Sequence, residues 1–277
     1  MSWDLLGPAF LFCPADRPER FLKAAAASDY VILDLEDGVS AGDRALAREA
    51  LIASTLDPDR TIVRVNPVES SDHQLDMRAL AKTPHHTVML AKTESAEQVE
   101  SLAPRNVIAL CETAKGVREA YAIADAGPTV GRMWGAEDLI ASLGGKSSRG
   151  DTGRYRDVAR FARAQVLLAA GAGGRFAIDA VHLDIGDLEG LEEEAREAAA
   201  CGFSGTACIR PTQAAVVRRA FRPTEKEISW ARRVVDVAST SRGVFAFEGQ
   251  MVDAPLLQHA NTILKIADGG STQSDHQ

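Results

Sequence analysis

The chain has 277 residues, a formal net charge of −8, and 45% hydrophobic and 25% charged residues. Such a composition supports a sizeable core, and the length suits one α/β barrel of about 250 residues or two smaller domains. The acidic balance argues against nucleic acid or an anionic membrane as the main partner.

No apolar run approaches the roughly 20 residues that a membrane span needs, and residues 1–13 lack the pattern of a secretory signal. The four cysteines, Cys13, Cys111, Cys201 and Cys208, show no CxxC spacing. Buried free thiols in a reducing compartment are expected, and hence a cytoplasmic protein.

Short apolar runs alternate with helical patterns along most of the chain. Ala9 to Cys13 reads as a first strand, followed by the helical segment ADRPERFLKAAAAS, with Asp16 or a neighbour as its cap. Tyr30 to Leu35 is the second strand and ends in Glu36-Asp37-Gly38; a helix over Ala41 to Ala53 follows. Thr61 to Val65 is the third strand, carrying Arg64 and running into Asn66-Pro67; Leu75 to Lys82 is helical. Thr87 to Leu90, ending at Lys92, is the fourth, and Ala96 to Leu102 the next helix.

Val107 to Cys111 breaks to Glu112-Thr113, and Val130 to Trp134 breaks to Gly135-Ala136-Glu137-Asp138, giving strands five and six. LGGKSSRGDTGRYRD then reads as a mobile loop, followed by a helix over Val158 to Ala172. Phe176 to Ile178 is strand seven, leading to His182, Asp184 and Asp187; Leu191 to Ala200 is helical and Gly205 to Ile209 is strand eight. Strands so alternated with helices predict a closed TIM (β/α)8 barrel, with a doubly wound open sheet as the competitor.

The barrel is assigned to residues 1–221 and a C-terminal extension to 222–268, with helical patterns over Glu225 to Ala238 and Leu256 to Ala267. The polar tail 269–277 reads as disordered. A barrel complete by strand eight leaves the extension to cover one of its ends or to reach a neighbouring subunit.

The C-terminal strand ends, where such folds carry their chemistry, bring together Glu36, Asp37, Arg64, Lys92, Glu112 and Asp138. Glu112 and Asp138 suit a hard divalent cation such as Mg²⁺, with water and substrate oxygens completing its shell. Each could instead cap the helix that follows it, and the whole set could be an internal ring of salt bridges. Arg64 has the fork that recognises a carboxylate in two-pronged fashion. The amides of Gly135, Ala136 and Glu137 offer donors at a helix start. No lysine has the apolar setting that suits a Schiff base; Lys92, after MLA, is the only candidate, and is assigned to substrate binding. Mg²⁺ chelated by an α-hydroxy or α-keto carboxylate suits carbon–carbon cleavage giving a 2-oxo acid.

FCPADRPERFLKA, VILDLEDGV, RVNP, MLAKTES, IALCETAKG, MWGAEDL, CIRPTQ and FEGQMVDAP, in this order, resemble the citrate lyase β-subunit-like proteins. These belong to the HpcH/HpaI aldolase/citrate lyase superfamily, with the malyl-, citramalyl- and β-methylmalyl-CoA lyases. The resemblance implies a Mg²⁺-dependent TIM barrel, trimeric or hexameric, that splits a 3-hydroxyacyl-CoA thioester into acetyl- or acyl-CoA and a 2-oxo acid. It casts Glu112 and Asp138 as metal ligands, Arg64 as the carboxylate clamp, and Glu36 and Asp37 as groups around the metal's waters.

Asp253 matches the catalytic acid of the malyl-CoA lyase branch, delivered across a subunit interface by a C-terminal lid. Arg17, Arg20 and Lys23 match the stretch that holds the CoA nucleotide, or are solvated charges on a helix face. Two departures stand out: MLAK replaces the family's MLPK, and CIRPTQ places Arg210 where histidine is usual. The alternatives to a free-standing CoA lyase are a citrate lyase β subunit acting on citryl-acyl carrier protein within a larger complex, and a non-catalytic metal-binding subunit.

Overall fold

The computed structural model describes residues 5–241 and 243–271. They divide into two compact units, one ending at Arg218 and the other beginning at Arg219.

The first unit is a closed parallel barrel of β1 (Ala9–Pro14), β2 (Tyr30–Asp34), β3 (Thr61–Val65), β4 (Thr87–Leu90), β5 (Asn106–Cys111), β6 (Thr129–Trp134), β7 (Phe176–Asp179) and β8 (Gly205–Cys208). Pairing of β1 with β8, Ala9 opposite Thr206, closes it and excludes the open sheet. Helices lie between the strands, as parallel connections require.

Alternate residues of each strand fill the barrel. Phe10, Tyr30, Ile32, Ile62, Met89, Ile108, Leu110, Met133, Ile178 and Ala207 form one buried cluster, with Phe10 and Tyr30 stacked at 4.8 Å. Burying each large side chain stabilises by about 1.5–3 kcal/mol. Space is tight enough that Gly131 lies flat against the Phe176 ring, where a Cβ would collide.

Several helix starts differ from the sequence pattern because hydrogen bonding, not apolar periodicity, decides them. The helix expected from Leu75 begins at Ser71, since the Ser70 hydroxyl accepts from Asp72 N–H. That expected from Ala41 begins at Arg44, because the Ser40 hydroxyl donates to Asp43 in a preceding turn. A helix over Pro211–Phe221, not anticipated, follows β8. Three cysteines are buried as expected, whereas Cys201 is exposed on the helix Leu188–Cys201.

The second unit packs helix Glu225–Thr240 against helix Ala254–Ser271, with the hairpin of β9 (Phe245–Phe247) and β10 (Gln250–Val252) between them in sequence. Ala231, Val234, Val252, Ala260 and Ile263 form its core. The two-residue turn Glu248-Gly249 has positive φ at both positions (49° and 79°), the conformation that matches strand twist in a tight hairpin. The last helix extends to Ser271, past the expected start of the tail, and residues 272–277 lie outside the described residues. No helix among the described residues is long and apolar enough to cross a membrane.

Candidate active site

The strand register assembles the site. Asp34 lies opposite Arg64 on β2 and β3, and Cys111 opposite Trp134 on β5 and β6. The latter pairing brings Glu112 and Gly135, the next residue of each chain segment, side by side. An ideal Cβ on Gly135 would stand 2.6 Å from Glu112 Oε2.

Neither candidate metal ligand is a helix cap. Thr113 caps the helix Ala114–Arg118, its hydroxyl accepting from Gly116 N–H, and Gly135 stands at the cap of helix Ala136–Ser142 with no side-chain bond. Glu112 is left free to face the barrel mouth, where it accepts from the Lys92 backbone N–H at 3.1 Å. Burial, and next the charge of Asp138, push its carboxyl up to about 8. A buried carboxylate whose burial and acidic neighbour outweigh the pull of Arg64 and Lys92 is suited to a further cation. Among the described residues no three acidic, His or Cys side chains cluster as a metal cage, so two carboxylates, water and substrate oxygens would complete the shell, the arrangement Mg²⁺ prefers.

Arg64 arrives already engaged. Its Nε and Nη2 donate to Asp34 Oδ1 and Oδ2 at 2.7 and 2.6 Å, and Nη1 lies 3.3 Å from Glu36 Oε2. Its guanidinium also lies 4.8 Å from the centroid of the Phe12 ring. The acids beside it outweigh its burial and raise its pKa, so it is permanently charged. With five donors on the fork, those not spent on Asp34 and Glu36 remain for a ligand.

Lys92 contacts Glu36, and its Nζ lies 3.0 Å from Asp37 and 3.3 Å from Asp138. Burial raises the Glu36 pKa despite Arg64 and Lys92; Asp37, more exposed, is lowered by Lys92 against the opposing effect of its own burial. The ring of ion pairs foreseen as an alternative to a metal site is therefore present, and it surrounds Glu112 rather than replacing it. Ala91 N–H donates to the Val65 carbonyl at 3.3 Å, a bond that the proline of the related MLPK pattern lacks.

Sequence reasoning missed the groups that aim these side chains. Asp34 receives the Glu36 and Gly38 amides as well as Arg64. Asp179, at the end of β7, accepts the Trp134 indole N–H at 2.6 Å and a two-pronged contact from Arg163. It thus ties β6, just before Gly135, to the next strand. Asp76 accepts from both the backbone and the side chain of Asn66, which itself donates to the Leu35 carbonyl. The loop read as mobile is tethered: Ser148 donates to Glu137 and Arg149 pairs with Glu194 while stacking 3.8 Å above Tyr155.

Arg17, Arg20 and Lys23 are exposed, with Arg17 on Asp16 and Arg20 on Glu19. Arg210 is exposed too, while Gln213 of the same motif accepts from Ile209 and Arg210 N–H and donates to the His182 carbonyl. In the second unit Asp253 precedes the last helix, and its Oδ1 accepts from Leu256 N–H at 3.2 Å.

The family HpcH/HpaI aldolase/citrate lyase matches residues 9–211, from the start of β1 to Pro211, just after β8. The chain belongs to this family. A citrate lyase subunit beta-like protein of Mycobacterium tuberculosis is 60% identical over 273 residues, covering 99% of this chain and 100% of that one. The mitochondrial citramalyl-CoA lyase of Homo sapiens is 32% identical over 293 residues, covering 94% of this chain and 85% of that protein.

Among solved structures, the CitE protein of Mycobacterium tuberculosis in complex with magnesium, acetoacetate and coenzyme A superimposes with a TM-score of 0.94. It is 61% identical, covering 95% of this chain and 98% of that one. This member of the aldolase/citrate lyase family is accordingly a lyase, with the family's barrel and C-terminal helices.

Proposed function

We propose that the protein is a Mg²⁺-dependent carbon–carbon lyase. It cleaves a 3-hydroxyacyl thioester of coenzyme A, of the citramalyl, malyl, hydroxymethylglutaryl or citryl type, into acetyl- or acyl-CoA and a 2-oxo acid or keto acid. The observation that carries this reading is the pair Glu112 and Asp138 on adjacent strand ends, beside a charged Arg64. A relative that superimposes with a TM-score of 0.94 was solved with magnesium, acetoacetate and coenzyme A together.

When bound, Mg²⁺ supplies Lewis-acid polarisation of the substrate's hydroxyl or carbonyl oxygen. Glu112 and Asp138 would hold it. Arg64 takes the substrate carboxylate with the donors that Asp34 leaves over, and the Gly135-Ala136 amides at the helix start offer a second grip on the same anion. Glu36 and Asp37 would accept hydrogen bonds from waters held by the ion.

The substrate hydroxyl gives its proton to water, its oxygen becomes the carbonyl of the 2-oxo acid as the carbon–carbon bond breaks, and the bond's electron pair stays on the thioester carbon as an enolate. That carbon needs a proton, and Asp253 of a neighbouring copy supplies it. The second unit then acts as a lid that excludes water, in a homotrimer or hexamer. Arg17, Arg20 and Lys23 would meet the anionic nucleotide end of coenzyme A.

The test is 2-oxo acid release from a panel of malyl-, citramalyl-, citryl- and hydroxymethylglutaryl-CoA, with Mg²⁺ and with EDTA. Metal-dependent turnover of one ester supports the reading and identifies the acyl group. Folded, metal-loaded protein inert on every free CoA ester would overturn it in favour of a carrier-protein substrate.

A further inference from the structure

Lys92 reaches more of the site than a substrate-binding lysine needs to. Its ammonium touches Glu36, Asp37 and Asp138, and its backbone N–H serves Glu112, so one residue contacts four acids at three other strand ends. It manages this through a left-handed backbone at φ 49°. That conformation is strained for a non-glycine residue and persists only where the surroundings enforce it.

Four carboxylates at one mouth repel one another, and Arg64 is already bound in two-pronged fashion to a fifth, Asp34. Lys92 and Arg64, whose Nη1 also lies 3.3 Å from Glu36 Oε2, together offset the other four, and it is Lys92 that contacts Asp37 and Asp138.

We propose that Lys92 is the site's built-in counter-cation. It holds the acids together when no divalent ion is present and yields Asp138 when one binds, so that Mg²⁺ binding is an exchange of cations. The proposal rests on the reading that Glu112 and Asp138 hold the metal. A dication and an ammonium compete for the Asp138 oxygens and repel each other. The lysine's flexible four-carbon stem lets its head withdraw while the backbone, and the bond to Glu112, stay in place.

The experiment titrates Mg²⁺ calorimetrically into the full chain and measures thermal unfolding in EDTA, for wild type, Lys92→Met, Lys92→Arg and Glu112→Gln. Lys92→Met keeps the stem and the strained backbone but removes the charge. The expected result is a lower Tm without metal, Mg²⁺ binding tighter by about tenfold, and a larger rise in Tm on adding Mg²⁺. Lys92→Arg should stay near wild type in both readouts. Unchanged or weaker Mg²⁺ binding by Lys92→Met, or an unchanged metal-free Tm, would overturn the exchange. Glu112→Gln binding Mg²⁺ as wild type does would instead remove the metal-site reading on which it rests.

Discussion

Gly135→Ala puts a methyl group into the space that the Glu112 side chain occupies. Its ideal Cβ would stand 2.6 Å from Glu112 Oε2 and 3.0 Å from Glu112 Cβ. The backbone at 135 is extended, with φ −129° and ψ 126°, a conformation any residue adopts. The effect is therefore steric and falls on Glu112. The carboxyl end can swing, but Glu112 Cβ is fixed to the end of β5, and the residue is buried.

Overpacking of this kind costs about 1–3 kcal/mol, or about 5- to 150-fold in an equilibrium constant. Mg²⁺ affinity measured by calorimetry should fall by about that factor, and turnover should need correspondingly more Mg²⁺. Gly171→Ala is the control: no atom lies within 4 Å of its Cβ, and its Mg²⁺ affinity should match wild type. A folded Gly135→Ala protein with wild-type Mg²⁺ affinity would refute the assignment of Glu112 as a ligand.

Three more outcomes are expected. Asp34→Asn takes the charge from beneath the buried Arg64; breaking such a pair costs about 3–5 kcal/mol, so Tm drops and kcat/KM falls by more than Mg²⁺ affinity does. Wild-type kinetics in that variant would show that Asp34 does not aim the clamp. Asp253→Asn should abolish turnover while leaving Mg²⁺ and 2-oxo acid binding intact, and full turnover would end the acid role given to it.

The third concerns pH. The hydrogen bond to Glu194 raises the pKa of His182 above its ordinary 6.5, with Asp187 adding to it and burial and Arg149 opposing. A raised histidine stabilises fully below its unfolded value and loses that contribution as pH climbs through the folded one. Wild-type Tm should therefore decline from about pH 6.5 upward more steeply than that of His182→Gln. Parallel Tm profiles would show the pair to be uncoupled from folding.

The barrel was legible from the amino-acid order because it rests on local signals. A strand buried on both faces must be a short apolar run, and its parallel connection must be a helix; β3 and β4 begin and end where their apolar runs do. The placement of the proposed metal pair was legible too, since Glu112 and Asp138 follow β5 and β6 at the polar breaks where barrel chemistry sits.

What tertiary structure alone decided is which side chain each charge meets. Asp34 lies in sequence inside the apolar run of the second strand with no partner indicated, yet strand register places it opposite Arg64. Asp179 acquires its role only because β7 lies beside β6, next to the Trp134 indole. Lys92 shows the same limit: its acidic neighbours come from three other strand ends, all distant in sequence. Hydrophobic period is written along the chain, whereas the partner of a buried charge is chosen across it, by register and closure of the barrel.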